Sequence, residues 1–181
     1  MEFISLYLQN SCVRLKKEGS DVNMKQGHPM RRKDRLVSEE TAREIIEKAE
    51  FGILMTADKE GQPYGVAVSH VIDGDVIYFH CALEGRKLNN IRENAKVCMN
   101  FVASSYVDGE NYTHRYESAI AEGKAVILED REEKYHALQL IAKKYAPASF
   151  KDSDEYILPK MDMTGVVRVE METLSGKVNA R

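Results

Sequence analysis

Tyr78-Phe79-His80-Cys81-Ala82-Leu83-Glu84-Gly85-Arg86-Lys87-Leu88 carries an apolar strand into the first turn of a helix without a gap. A strand that delivers Gly, Arg and Lys to a helix start makes a compact anion site. The first helical N–H groups lack internal partners, and the helix dipole favours negative charge there. Arg86 adds a planar fork suited to a phosphate and Lys87 a point charge. A Gly-Arg-Lys tripeptide at a helix start is also compatible with plain solvation, so its surroundings decide the reading.

Upstream, residues 64–72 and 76–82 are β-rich runs joined by Asp73-Gly74, a strong short signal for a two-residue hairpin turn. Downstream, Leu88, Ile91 and Ala95 mark the inner face of a short helix, and residues 96–106 form a third long strand leading to a polar loop at 108–114. A fourth strand spans 117–128, where Gly123 marks a bulge or a close backbone approach. Before the central segment, Ser38 is placed to cap a helix whose apolar face is Ala42, Ile45, Ile46 and Ala49, followed by a buried strand at 51–56 and a turn at 58–61. After it, residues 130–145 return to helical spacing through Leu138, Ile141, Ala142 and Tyr145, residues 146–160 read as loop, and 165–173 as a final strand. The expected fold is mainly β with flanking helices, a closed or nearly closed antiparallel barrel.

Residues 66–72 are apolar in both parities, with Val66 and Val68 on one side and Ala67 and Val71 on the other. An antiparallel strand apolar on both sides must bury its outer side too, and a second copy of the chain is the simplest cover.

Together, residues 63–101, with Tyr78-Phe79-His80-Cys81-Ala82, Glu84-Gly85-Arg86-Lys87-Leu88 and Val97-Cys98-Met99, resemble the flavin-binding split-barrel proteins related to pyridoxamine 5'-phosphate oxidase. Within them the chain looks most like the branch containing the nitroimidazole-resistance proteins. The resemblance begins at Met30-Arg31-Arg32-Lys33-Asp34-Arg35, continues through Tyr116-Glu117-Ser118 and Glu122-Gly123, and weakens after Lys144. It implies an antiparallel split β-barrel over residues 30–181, with residues 1–29 as an extension of unknown role. It also implies a homodimer with FMN at the subunit interface, FAD being a variant that the same phosphate grip could hold.

The resemblance assigns site residues one by one. Arg86 and Lys87 correspond to the pair that grips the flavin phosphate. Val68, Ser69 and His70 lie on the strand beside the flavin ring, and His80 lines its chain or ring. Ser118 supplies a polar contact from the opposite side of the cleft. His70 has two readings, a proton donor to a reduced substrate or a satisfied barrel histidine; His80 likewise competes with a core histidine bonded to backbone. The implied activity is flavin-dependent reduction of a small oxidised substrate such as a nitroimidazole. Alternatives are pyridoxamine 5'-phosphate oxidation, or a non-catalytic barrel holding flavin, or haem on His70 or His80. Two departures stand out: the chain has no Trp, and its tail offers Arg168, Lys177 and Arg181 without the Arg-x-His ending expected of true oxidases of that vitamer.

Composition agrees with such a module. A chain of 181 residues, 43% hydrophobic and 30% charged, supports one domain with a real core. A net charge of -3 gives no general pull toward nucleic acid or an acidic membrane. Cys12, Cys81 and Cys98 form no CxxC pair, which argues against a disulfide framework and a zinc site and points to a reducing cytoplasm. His28, His114 and His136 share no metal-ligand spacing, and no P-loop or GxSxG elbow is present. Phe3-Ile4-Ser5-Leu6-Tyr7-Leu8 is too short for a membrane span and lacks the flanks of a signal peptide, and Met24 and Met30 are alternative starts.

Overall fold

Ser38 caps the first helix as its position predicts: its Oγ accepts from the Thr41 N–H at 3.2 Å, and Glu39 and Glu40 occupy the first turn, where the helix dipole favours them. This helix, α1 (Glu39–Lys48), turns Ala42, Ile45 and Ile46 into the core. The computed structural model describes residues 29–180. Cys12, the 3–8 apolar run, His28 and nearly all of the proposed extension lie outside the described residues.

Seven strands form one antiparallel sheet: β1 (Gly52–Ala57), β2 (Pro63–Val68), β3 (His70–Asp73), β4 (Val76–Cys81), β5 (Lys96–Asp108), β6 (Thr113–Ile127) and β7 (Gly165–Asn179). Their order across the sheet is β2-β1-β5-β6-β7-β4-β3. The two strands at its ends, β2 and β3, are consecutive in sequence and separated only by Ser69. The sheet therefore curls until its ends meet at Ser69, which makes it a split barrel. The expected single strand over 64–72 is corrected accordingly. β2 pairs with β1 and β3 with β4, so the chain has to leave one ladder before entering the other.

Other expectations shift in detail. The β3–β4 turn is Gly74-Asp75, one residue later than expected, because Asp73 still pairs with Val76; Gly74 takes φ +59° at the first turn position. Residues 146–160 are not loop but a helical hook of two 3-10 turns around α4 (Ser153–Ile157), which buries Ile157 and Met161. The final strand runs on to Asn179 because its second half pairs with β6. Gly123 sits at a register shift in that pairing, and a Cβ there would overlap the Glu170 carbonyl oxygen.

Leu54, Phe79, Met99, Phe101 and Val169 fill the barrel together with the inner face of α1. α3 (Arg131–Tyr145), capped by Asp130, covers Tyr78 and Val166 on the outer face of β4 and β7. Polar links fasten it there: Tyr78 Oη donates to Glu133 at 3.0 Å, Arg168 Nη1 donates to both oxygens of the same carboxylate, and His136 meets Asp73. No helix among the described residues is long and apolar enough to cross a membrane.

Candidate functional site

α2 (Arg86–Glu93) begins one turn after β4 ends. Its N-cap is Gly85 at φ +133°, a backbone conformation that side-chain-bearing residues rarely adopt. No side chain among the described residues caps the helix. The Leu88 and Asn89 amides both bond back to the Gly85 carbonyl, at 3.0 and 3.1 Å, while the Arg86 and Lys87 amides have no acceptor among the described residues. Leu88 and Ile91 pack into the core, whereas Ala95, expected on the same face, lies exposed beyond the helix end. Its place is taken by buried Asn90, whose Nδ2 donates to Thr56 Oγ1 of β1 at 2.9 Å. That bond fixes the helix against β1, and the neighbouring strand β2 supplies Tyr64. The exposed Arg86 guanidinium stacks on the Tyr64 ring, 4.7 Å from its centre.

At the barrel closure, Val68 and His70 are buried on either side of Ser69. The His70 amide donates to Tyr145 Oη at 2.9 Å, and that hydroxyl lies 2.8 Å from the Glu50 carbonyl. His70 Nε2 is 2.7 Å from the Ile46 carbonyl of α1, which can only accept, so this nitrogen carries the proton. Lys144 Nζ donates to the Ala49 carbonyl at 3.0 Å, and its 3.3 Å approach to Nε2 is then a contact between two donors. The ring lies 4.5 Å from Phe101 and is 0% exposed, and its Nδ1, near the Val68 backbone, makes no well-formed hydrogen bond among the described residues. Burial, with Lys144 adding to it, pushes the His70 pKa down to about 4, so the imidazole is neutral at pH 7. In the protomer His70 is thus a buried, neutral ring bonded to the Ile46 backbone carbonyl.

The remaining candidates lie elsewhere. His80 pairs with Val166 on β4 and is exposed, with partial burial of its ring lowering its pKa. Ser118 is buried on β6, paired with Val102 on one side and Lys177 on the other. In the sheet order β1 and β5 stand between β6 and β2, and no described contact joins Ser118 to Arg86. Arg168 is committed to Glu133 and Glu170. Cys81 and Cys98 are half-buried on strands, and burial raises both thiols.

Residues 38–178, which hold the barrel and the Gly-Arg-Lys helix start, match the family model described as pyridoxamine 5'-phosphate oxidase. The chain belongs to the pyridoxamine 5'-phosphate oxidase family. Its fold is similar to that of a candidate 5-nitroimidazole antibiotic resistance protein from Bacteroides thetaiotaomicron, at 30% identity and TM-score 0.69, covering 79% of this chain and 86% of that one. The flavocytochrome Anf3 of Azotobacter vinelandii shares the fold at 18% identity and TM-score 0.70, over 85% of this chain and 73% of that one. So does an FAD and haem binding protein of Mycobacterium smegmatis, at 15% identity and TM-score 0.68, over 80% and 72%. No curated protein matches the sequence.

On this family's scaffold, sequence reasoning missed the residues that hold others in place. Tyr64 under Arg86, the Thr56–Asn90 bond, and the joint role of Lys144 and Tyr145 at the barrel closure were not singled out. Thr56 did carry a signal, since it shares parity with Leu54 and is a polar group in a buried strand that needs a partner. Tyr145 gave none beyond its place on an apolar helix face, because its partners are backbone atoms distant in sequence.

Proposed function

We propose that the protein binds FMN by its phosphate at the start of α2, in a pocket completed by a second copy of the chain, and reduces a small oxidised substrate. The observation that carries this reading is the exposed helix start, with two free amides, the Arg86 fork and the Lys87 ammonium around a glycine cap. That donor set fits a phosphate dianion in charge and in number of donors. A bound flavin would supply the redox chemistry.

The chain's own residues then divide the work. Gly85 keeps the approach to the amides open, and Arg86 and Lys87 neutralise the phosphate. Ser69, the one residue between β2 and β3, offers backbone groups beside Val68 at the end of β2, a position suited to the hydrogen-bonding edge of a flat ring. His80 lines the same side from β4, and Ser118 reaches in from the second copy. His70 acts from the core by fixing the closure against α1 rather than by handling protons. The 30% identity to a candidate nitroimidazole-resistance protein favours a nitro compound as substrate.

An absorption spectrum of the purified protein, with mass analysis of whatever heat releases, tests the reading. Flavin bands with an FMN mass support it, and an FAD mass changes the ligand but not the grip. A Soret band would replace flavin with haem, with the exposed His80 as the available imidazole. A colourless protein that takes up no added flavin ends it. Turnover of pyridoxamine 5'-phosphate would make the protein an oxidase of that vitamer instead. Arg86→Ala is expected to lose most of the flavin while the fold persists, measured as the flavin-to-protein absorbance ratio against unchanged circular dichroism.

A further inference from the structure

Two cations converge on one phenol at the far end of the β6–β7 ladder. Tyr116 and Ser118 are two residues apart on β6 and share a face, and Lys177 of β7 pairs directly with Ser118. Arg35, in the 3-10 turn Lys33–Arg35, is brought beside them because Leu36 bridges to Lys177 and the Val37 amide donates to the Gly176 carbonyl at 3.1 Å. Arg35 Nη1 donates to Tyr116 Oη at 3.1 Å, and Lys177 Nζ stands 5.2 Å from the centre of the Tyr116 ring.

Neither cation is in an ion pair among the described residues, although Arg32, Arg43, Arg115, Arg131 and Arg168 all are. The Asp34 carboxylate feels the Arg35 charge but is hydrogen-bonded to Arg32, so the two cations keep donors for a further anion, whose local concentration they raise. The Tyr116 oxygen accepts from Arg35, and its own hydrogen has no acceptor among the described residues. Arg35 likewise uses one of its five N–H donors. The cluster thus presents a fork, an ammonium and a hydroxyl donor, and it lowers the Tyr116 phenol pKa, chiefly through Arg35.

We propose that Arg35, Tyr116 and Lys177 form a binding subsite for a carboxylate or phosphate group of a small ligand. Resting on the proposed function, which puts Ser118 at the flavin, the adjacent anion belongs to the substrate, and the compound reduced is an acid or a phosphate ester.

The test titrates sodium acetate, and separately sodium phosphate, into the full chain at constant ionic strength, following the Tyr116 ring and Arg35 side-chain resonances by NMR. The phosphate arm uses Arg86→Ala protein, so that the α2 start does not contribute. Saturable shifts are expected with at least one anion, the tighter of the two naming the group. Arg35→Gln and Lys177→Gln should each weaken it roughly tenfold, the loss expected for one charge-assisted hydrogen bond. Shifts that never saturate with either anion, or that survive unchanged in the double variant, overturn the proposal. The reading needs no turnover, so a protein that holds flavin but shows no titration loses only this subsite. One that titrates but takes up no flavin loses only the flavin function.

Discussion

Arg86 reaches solvent, yet its guanidinium is held in place by the Tyr64 ring, which leaves its N–H edge free for an incoming anion. If that stack orients the fork toward a phosphate, Tyr64→Leu should weaken FMN by roughly threefold, the worth of an exposed cation–π contact, and leave riboflavin, which has no phosphate, unchanged. Tyr64→Phe should bind FMN as the parent does. Quenching of flavin fluorescence reads all three, and an equal loss for both ligands would mean that Tyr64 merely props the pocket. His70 makes a different prediction. Its folded pKa of about 4 lies below the 6.5 of the unfolded chain, so the unfolded state binds the proton first as pH falls. Stability is therefore full above pH 6.5 and declines toward pH 4, by about 3 kcal/mol at the limit from this one group. His70→Gln can keep a donor toward the Ile46 carbonyl and cannot titrate. Urea unfolding at about pH 7 and about pH 4.5, either side of most of that window, should show the parent losing more stability than this variant, and equal losses would remove His70 from the acid response.

Elements in this chain are set by close approaches as much as by propensity. Gly123 lies at the β6 register shift, where the Glu170 carbonyl occupies the space a side chain would need. Gly123→Ala must push β7 away along a ladder that has strands on both sides, at a cost of about 1–3 kcal/mol or more. Chemical denaturation should show that loss, and a midpoint within error of the parent would mean that the ladder yields freely. The glycine was visible in the sequence as a bulge or a close approach, and both hold. The helices α1, α2 and α3 and most strands were equally legible, because each shows one apolar face in its own period. What stayed hidden depends on pairing. The break at Ser69 follows from β2 and β3 joining opposite ends of the sheet, and nothing in Val68-Ser69-His70 interrupts the β pattern. The hook at 146–163 was concealed because its helical turns are short and its two prolines, Pro147 and Pro159, read as breakers, whereas each stands in the first positions of a 3-10 turn, where a proline is tolerated. Of the candidate site, the Arg86-Lys87 start was legible from charge and position; its supports Tyr64, Asn90 and Tyr145 were not, since each acts on an element remote in sequence.

At the scale of the whole molecule, one face of the barrel remains to be accounted for. α1 and α3 cover the sheet elsewhere, but on the outer side of β1, β2 and β5 the residues Ile53 and Met55 are half-buried, and Ala67 and Val102 are exposed. Val102, 49% exposed, pairs with Ser118 on that same side. Ser118 lies across β1 and β5 from the strand that supports Arg86, and the protomer does not bring the two together. If both touch one flavin, they come from different copies, and dimerisation and flavin binding must fail together. Val102→Asp places a charge on this face, left uncovered by the other described residues, without entering the barrel core. Light scattering should then report a monomer where the parent gives a dimer, and flavin occupancy should fall in step while circular dichroism is retained. A monomer that keeps its full complement of flavin would show that one chain holds the ligand unaided, and Ser118 would then have to be removed from the site.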